Sequence, residues 1–236
     1  MPIFNIIGDI HGKENWKELV KEDAINVFVG DYFDSKEGRT VEEVIQNFEA
    51  IMDFKRSRPE TVLLYGNHDL NYLLDLDYRS KFSLRQQRER YKALFDTYAD
   101  RFYGVAYAID GKTLVSHAGI TKEWYERYIG AYHNEDACFV AEQVNSLWHK
   151  DKMPFTFQSN VTISPDIWGE SPEHSPVWIR SWILPAHNLF AANDIVQIIG
   201  HTPQDDITAV GERIICVDCL FKTAKSLTID SKLHFF

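Results

Sequence analysis

The sequence predicts an α/β fold, and two patterns support that prediction. Three short apolar runs in the first part of the chain, "IFNII", "INVFV" and "TVLLY", each end in a glycine followed by polar residues. Segments with apolar residues at helical spacing lie between these runs. Fully apolar strands that alternate with helices indicate βαβ units around a parallel sheet.

The clearest helix is predicted over residues 40–57. Apolar residues such as Val44 and Phe48 recur there at i, i+3 and i+4 spacing. Thr40 and Glu43 have the spacing of a capping box, in which each side chain accepts a hydrogen bond from the other residue's backbone. This signature predicts the start of the helix.

The rest of the chain mixes helix and strand patterns. Asp110-Gly111 separates two alternating runs and predicts a hairpin turn. We predict a single domain over residues 1–236, with a helical insertion at about 70–101 and an irregular Trp- and Pro-rich cap segment at about 151–190. The other predicted elements are a helix over 13–22, hairpin strands over 104–109 and 113–117, two helices within 121–150, a strand in "DIVQIIGHT" and closing strands in "RIICVDCLF" and "KSLTI".

Composition and charge exclude several classes of function. The formal net charge of −10 disfavours nucleic acid and anionic membrane surfaces as partners. The chain contains no apolar run long enough to span a membrane and no signal-peptide pattern at its start. Three sparse cysteines predict a cytoplasmic location, and Cys216 and Cys219 are interpreted as buried thiols rather than as a metal pair.

Polar residues that follow the predicted strands form the main functional signal. Carboxylate and imidazole together suit Mn, Fe and Zn, and the set is larger than one ion requires. Two ions that share a bridging carboxylate would use all of it, and such pairs clamp phosphate and generate hydroxide. The pattern therefore indicates a hydrolase of phosphate esters. The residues are Asp9, His11, Asp31, Asn67, His68, His117 and His201.

The ordered motifs "GDIHG", "GDYFDS", "GNHD", "SHAG" and "GHT" resemble the calcineurin-like metallophosphoesterase superfamily, in its Ser/Thr phosphoprotein-phosphatase-like branch. The resemblance spans about residues 3–230. It implies a central β-sandwich flanked by helices, the four-layer fold of metallo-dependent phosphatases. It also implies two divalent ions, with Mn expected and Fe, Zn, Ni or Co as alternatives.

The resemblance assigns roles residue by residue. Asp9 and His11 would bind the first ion and Asp31 would bridge both; the second ion would take Asn67, His117 and His201. Hydroxide held between the ions would attack the phosphate monoester. His68 would act as general acid or contact the phosphate, and Asp34 would orient its ring.

The sequence departs from the branch pattern after the second aspartate. Ser35 stands where the branch usually has a phosphate-binding arginine, with Lys36 or Arg39 as candidate substitutes. Arg180 resembles a later phosphate-binding arginine of the branch. The basic stretch at 79–92 is interpreted as a solvated helix face, with a surface for an anionic substrate or partner as the alternative.

Three functions follow as hypotheses. The first is a phosphomonoesterase, with a Ser/Thr protein phosphatase among the candidates. The second is a hydrolase of dinucleoside polyphosphates or other nucleotides. The third, a non-catalytic scaffold on the same fold, is the weakest because all expected ligands are present. The expected partner is a phosphorylated protein, nucleotide or small molecule, and the sequence leaves the oligomeric state open.

Overall fold

A computed structural model gives the structure of the chain and describes residues 2–35, 37–74, 85–157 and 168–230. Within these residues the strands form two sheets that stack as a sandwich. Short loops of irregular backbone follow most of the strands. The strands are β1 (Ile3–Ile7), β2 (Ile25–Phe28), β3 (Val62–Leu63), β4 (Ala106–Asp110), β5 (Thr113–Ser116), β6 (Val196–Ile199), β7 (Thr208–Gly211), β8 (Ile214–Cys216) and β9 (Leu227–Asp230).

Helices cover the outer faces of this sandwich. None of those in the described part of the chain is long and apolar enough to cross a membrane. Two single turns of 3-10 helix, Ala99–Arg101 and Met153–Phe155, add to them. The α-helices are α1 (Trp16–Leu19), α2 (Val41–Ser57), α3 (Asn67–Leu73), α4 (Arg85–Thr97), α5 (Lys122–Tyr128), α6 (Ala137–Lys150) and α7 (Leu184–His187).

The strand order places the ends of the parallel strands at one edge. The first sheet has the order β3-β2-β1-β9, and the second has the order β4-β5-β6-β8-β7. β1 pairs in parallel with β2, and β2 with β3, which confirms the predicted βαβ arrangement. β5, β6 and β8 are also mutually parallel. The predicted β-sandwich flanked by helices is therefore confirmed.

Two large apolar cores hold the layers together, and a smaller cluster of Leu184, Ile199, Ile214 and Cys216 adds to them. The core between the sheets consists largely of β-branched and leucine side chains, as expected for strands buried on both faces. The core on the helical side of the first sheet is aromatic: Phe33 stacks on Tyr91 with ring centroids 4.0 Å apart, and Phe48 packs against both Phe33 and Phe95. The inter-sheet core includes Phe4, Ile6, Val27, Val29, Leu64, Val115, Ile198 and Ile229.

Most predicted elements are present with changed bounds. Thr40 and Glu43 form the predicted capping box of α2. The predicted helix over 13–22 is wrong in length, because only Trp16–Leu19 is helical and Val20 is already extended. The strand predicted in "RIICVDCLF" ends at Cys216, and the chain then turns into a loop. Much of the basic stretch lies outside the described residues, and the division into domain, insertion and cap stays a prediction.

Asn145 fastens α6 to the first strand of the second sheet. Its Oδ1 accepts hydrogen bonds from the backbone N–H groups of Val105 and Ala106, at 3.0 and 3.2 Å, and its Nδ2 donates to the Ala106 carbonyl at 2.7 Å. All three bonds are buried, so the backbone at the start of this strand takes hydrogen-bond partners from one side chain.

We expect Asn145→Ala to lower the free energy of unfolding by about 2–3 kcal/mol, because it leaves buried backbone groups without partners. Denaturant unfolding at equilibrium measures the change. Ser146→Ala, at the next and exposed position of α6, is the matched control and should change stability by less than about 0.5 kcal/mol. Equal effects of the two substitutions would contradict this account.

Candidate metal and active site

The polar residues singled out in the sequence meet at one edge of the sandwich. Asp9 and His11 follow β1, and Asp31 and Asp34 follow β2. The remaining three loops follow β3, β5 and β6. Backbone hydrogen bonds join neighbouring loops: the His11 N–H donates to the Asp31 carbonyl at 2.6 Å, and the Gly200 N–H donates to the His117 carbonyl at 2.7 Å. The ends of parallel strands thus bring distant sequence segments into contact.

Several of these residues have an unusual backbone. His11, Asp31, Asp34 and His201 have positive φ angles, between 44° and 65°. Only Asn134 and Arg213 share this property among the non-glycine residues that the structure describes. Such conformations cost about 1–3 kcal/mol each and cluster at functional sites. The backbone therefore marks the same edge of the sandwich as the side chains do.

The first group of potential ligands gathers around the Asn67 amide oxygen. His117 Nε2 and His201 Nδ1 each lie 2.9 Å from Asn67 Oδ1. The Val29 carbonyl lies 2.9 Å from His117 Nδ1, so Nδ1 carries the proton of the neutral ring and Nε2 presents a lone pair to the amide oxygen. The His117 nitrogen and the Asn67 oxygen are thus two acceptors that face each other, and a cation bound between them would remove their repulsion. Neighbouring ligands about 2.1 Å from an octahedral ion are about 3.0 Å apart, which fits these distances.

The second group includes His11 and Asp9. His11 Nε2 lies 3.6 Å from Asp31 Oδ2 and 4.0 Å from Asp9 Oδ2. Its Nδ1 lies 3.1 Å from the Phe33 carbonyl, which again leaves Nε2 as the atom with a free lone pair. Asp31 Oδ2 also lies 3.5 Å from His117 Nε2. One carboxylate oxygen thus faces both groups of potential ligands.

His68 belongs to this edge but has a different partner. Its Nδ1 lies 2.6 Å from Asp34 Oδ2, and the Tyr72 hydroxyl donates to Asp34 Oδ1. Its backbone N–H donates to Asp31 Oδ1 at 2.9 Å. His68 lies close enough to His11 and Asp31 to complete a metal triad. The carboxylate on Nδ1, however, gives the ring a fixed orientation without any ion.

Burial and mutual repulsion dominate the electrostatics of the site. Burial, together with the negative charge of Asp31, raises the pKa of Asp9 to about 8. Burial alone would raise the pKa of Asp31 as well, but the surrounding imidazoles, His117 first, lower it below its usual value. Burial and then the charge of Arg180 lower the pKa of His201, which keeps its ring neutral. The directions for Asp31 and His201 favour the ionised carboxylate and the neutral imidazole, which are the forms that bind cations, and a cation beside Asp9 would favour the loss of its proton.

Asp69, the last residue of the "GNHD" motif, connects two loops of the site. Its carboxylate is fully buried and accepts three backbone hydrogen bonds, from Asp31 at 2.8 Å, Tyr32 at 3.0 Å and Gly66 at 2.8 Å. The pKa of Asp69 rises to about 7, because burial and the charge of Asp31 outweigh these bonds. The carboxylate therefore ties the "GNHD" loop to the "GDYFD" loop.

The residues considered for phosphate binding are placed differently. Arg180 lies beside the "GHT" loop, where its Nη1 donates to the His201 carbonyl at 3.4 Å and its Nε to the Trp168 carbonyl at 2.9 Å. Arg39 is held by Glu14, with Nη1 3.1 Å from a carboxylate oxygen. Arg39 is therefore already engaged by an acid, which makes it a poor substitute for the missing arginine. Lys36 lies outside the described residues.

Two buried charged residues near the site were not identified from the sequence. Asp218, in the loop after β8, and Lys13, after the first motif, are both almost fully buried. Burial, and then the charge of Asp9, raises the pKa of Asp218 to about 8. Cys216 and Cys219 are buried free thiols, as predicted, and the Cys216 thiol donates to the carbonyls of Gly200 and Thr202 at 3.5 and 3.4 Å.

Fold and site together define a two-sheet α/β protein with a buried carboxylate, imidazole and amide centre of the kind that holds divalent cations. The family model of calcineurin-like phosphoesterases matches residues 4–205, and the chain belongs to that family. The resemblance seen in the motifs is thereby confirmed, and family membership supports a hydrolase.

A solved structure shares the fold over most of the chain. It is described as a protein serine/threonine phosphatase from Saccharomyces cerevisiae with similarity to human phosphatase PP5. The two are 15% identical with a TM-score of 0.50, and the match covers 92% of this chain and 66% of the yeast chain. The present chain thus spans just under two thirds of that protein. No curated protein matches the sequence.

Gly200 provides a test of how tightly the site is packed. A Cβ atom there would lie 2.3 Å from Asp9 Oδ1 and 2.7 Å from Val29 Cγ2. We expect Gly200→Ala to lower the free energy of unfolding by about 1–3 kcal/mol through overpacking, as measured by denaturant unfolding. Gly111→Ala is the control, since its Cβ would meet nothing closer than Asp136 at 3.4 Å. A Gly200→Ala protein as stable as this control would disprove the close approach.

Proposed function

We propose that the chain is a dinuclear-metal phosphoesterase that hydrolyses phosphate monoesters. One observation carries the proposal: Asp31 Oδ2 faces His117 Nε2 at 3.5 Å and His11 Nε2 at 3.6 Å, so a single oxygen serves both ligand groups. Membership of the calcineurin-like family supports the same reaction class.

The ligand atoms divide between two ions. His11 Nε2 and a carboxylate oxygen of Asp9 would hold one ion, Asp31 would serve both, and Asn67, His117 and His201 would hold the other. When bound, the ions would supply Lewis acidity and a water nucleophile of lowered pKa. Neutral nitrogen, amide and carboxylate ligands accept Mn, and also Fe, Zn, Ni or Co. We propose Mn as the first metal to supply.

His68 is proposed as the general acid. Asp34 holds Nδ1, so the Nε2 position is the one that donates a proton to the leaving oxygen. The buried carboxylate holds the ring in place, and the Tyr72 hydroxyl in turn fixes that carboxylate. The His68 N–H bond to Asp31 sets the distance between the acid and the proposed metal bridge.

Arg180 is proposed to bind the phosphate. Its guanidinium is anchored through Nε and one Nη atom, and the fork geometry of the group suits phosphate oxygens. In the described part of the chain, Ser35 stands in place of an arginine and Arg39 is engaged by Glu14, so Arg180 is the cation that we propose for the phosphate. A polyphosphate carries more charge to neutralise than a monoester does, so a single arginine suits a monoester.

Within that class, a phosphorylated Ser or Thr side chain is the substrate that we propose first. The motif set resembles the protein-phosphatase branch most closely, and a nucleotide phosphohydrolase is the alternative. A panel of phosphopeptides, nucleotides and dinucleoside polyphosphates would separate the two. A scaffold without activity is disfavoured because His68, Asp34 and all proposed ligands meet at one edge. A cytoplasmic location stays a prediction.

The two aspartates of "GDYFD" should differ in what their loss removes. We expect Asp31→Asn to abolish both metal binding and hydrolysis of an aryl phosphate, because it removes the shared charged oxygen. Asp34→Asn should retain the metals and lower kcat roughly 100-fold, because it leaves the acid without its orienting carboxylate. Elemental analysis of the purified proteins and steady-state kinetics with Mn measure both quantities.

The matched control is Asp53→Asn, which removes an exposed carboxylate of α2 that pairs with Arg56 at 2.8 Å. It should change neither quantity. Equal metal loss in Asp31→Asn and Asp34→Asn would refute the division of roles, and unaltered turnover in both would refute the proposed function.

Arg180→Gln should weaken phosphate binding without loss of metal. We expect the inhibition constant for inorganic phosphate to rise about 10- to 100-fold, which corresponds to the loss of charged hydrogen bonds. Product inhibition during aryl phosphate hydrolysis measures it. Arg213→Gln, which removes an exposed arginine paired with Asp194, is the control. An unchanged inhibition constant in Arg180→Gln would show that this arginine has only a structural role.

A further inference from the structure

The proposed ligand His201 lies at the centre of a strained turn, which we call the His201 turn (residues 200–202). The Thr202 N–H donates to the Gly200 carbonyl at 2.7 Å, and this bond closes a γ-turn around His201. The φ angle of His201 is 65°, and a γ-turn with a positive central φ is the rare and strained form. Such a conformation persists only where the surrounding structure holds it.

The His201 turn presents two groups to the proposed metal centre. His201 Nδ1 lies 2.9 Å from Asn67 Oδ1. The backbone N–H of His201 donates to Asp9 Oδ1 at 3.0 Å and to Asp9 Oδ2 at 3.2 Å. A rotation of the turn would move both groups at once. The conformation of the turn therefore affects ligands of both proposed ions.

The side chain of Cys216 contacts this turn from the neighbouring strand. Cys216 is the last residue of β8 and pairs with Ile199, the last residue of β6. Its Sγ lies 3.5 Å from the Gly200 carbonyl oxygen and 3.4 Å from the Thr202 carbonyl oxygen. These two carbonyls flank His201 in the chain. A thiol has one proton, so the two acceptors share it.

Burial keeps the Cys216 thiol in the form that donates a hydrogen bond. The side chain is fully buried, and burial raises the pKa of Cys216 to about 12, so the sulfur retains its proton. Its other neighbours are apolar, and the two carbonyls are the polar groups that its Sγ contacts among the described hydrogen bonds. The apolar neighbours are Leu184, Ile199 and Ile214.

The loss of the thiol would leave the turn in place but less restrained. The Gly200 carbonyl would keep its bond from the Thr202 N–H, and the Thr202 carbonyl also accepts a bond from Gln204 Nε2 at 3.1 Å. Neither carbonyl would therefore lose every partner. The expected consequence is a change in the orientation of His201 rather than unfolding of the protein.

We propose that Cys216 is a positioning residue for the metal centre, whose thiol holds the His201 turn in the conformation that directs His201 at Asn67 and Asp9. This inference rests on the proposed function, because it requires that the centre binds cations. It depends on the hydrogen-bond donor at position 216, whereas a role in packing alone depends only on the volume and apolar character of the side chain.

The experiment compares Cys216→Ala with Cys216→Ser in the full chain by equilibrium titration with Mn²⁺. Cys216→Ala should weaken the dissociation constant about 3- to 10-fold, because one hydrogen-bond donor is lost. Cys216→Ser retains a donor and should bind Mn²⁺ within about twofold of the wild type. Cys216→Thr and Cys216→Val repeat the comparison at nearly equal side-chain volume, and the Thr variant should bind more tightly.

A role in packing alone predicts a different order. Serine and threonine would then be the worse replacements, because each buries a hydroxyl group in an apolar cluster. Denaturant unfolding of the metal-free variants measures that effect separately from metal affinity. Cys219→Ala is the matched control: its buried thiol donates to the Lys225 carbonyl at 3.8 Å, away from the His201 turn, and its loss should leave Mn²⁺ affinity unchanged.

Wild-type affinity in Cys216→Ala, or equal weakening in the variants with and without a hydroxyl group, overturns the inference and leaves the proposed function intact. A wild-type protein that binds no divalent ion contradicts the proposed function itself, and the inference with it.

Discussion

Asp31 is buried with its two carboxylate oxygens and its backbone N–H directed at three other loops. Oδ1 accepts the His68 N–H, Oδ2 faces the imidazoles of His11 and His117, and the N–H donates to Asp69. The loops after β1, β2, β3 and β5 are therefore positioned relative to one side chain. An isolated carboxylate could not remain ionised at such depth without the surrounding donors.

The sandwich makes this arrangement possible by fixing the backbone that carries it. Positive φ angles at His11, Asp31, Asp34 and His201 are unfavourable taken one by one. Each follows a strand whose side chains are packed in one of the two apolar cores, and each loop is bonded to its neighbour through backbone groups. The packing of the β-sheets thus maintains the strained loops. The proposed chemistry therefore depends on parts of the fold that carry no functional side chain.

Features that depend on residues close together in the chain could be predicted from the sequence. Apolar runs, the α2 capping box and the glycine-bounded motifs are encoded within a few residues of each other, and the structure places them as expected. Contacts between distant positions that no motif marks could not be predicted: Arg39 pairs with Glu14, and the Lys13 ammonium lies over the Phe221 ring. Spacing in the chain says nothing about such pairs, because only the packed fold decides which charges lose their water.

The second arginine considered for phosphate shows where specificity would arise. Arg180 and Trp168 both belong to the predicted cap: the guanidinium donates at one end to the Trp168 carbonyl and at the other to the carbonyl of His201, a proposed ligand. One guanidinium therefore connects the predicted cap with the proposed metal centre. Changes in the cap would shift this group relative to the phosphate without altering the ligand atoms. Substrate choice would then vary while the proposed hydrolytic centre stays the same, so the ligand set alone leaves the substrate class to be tested separately.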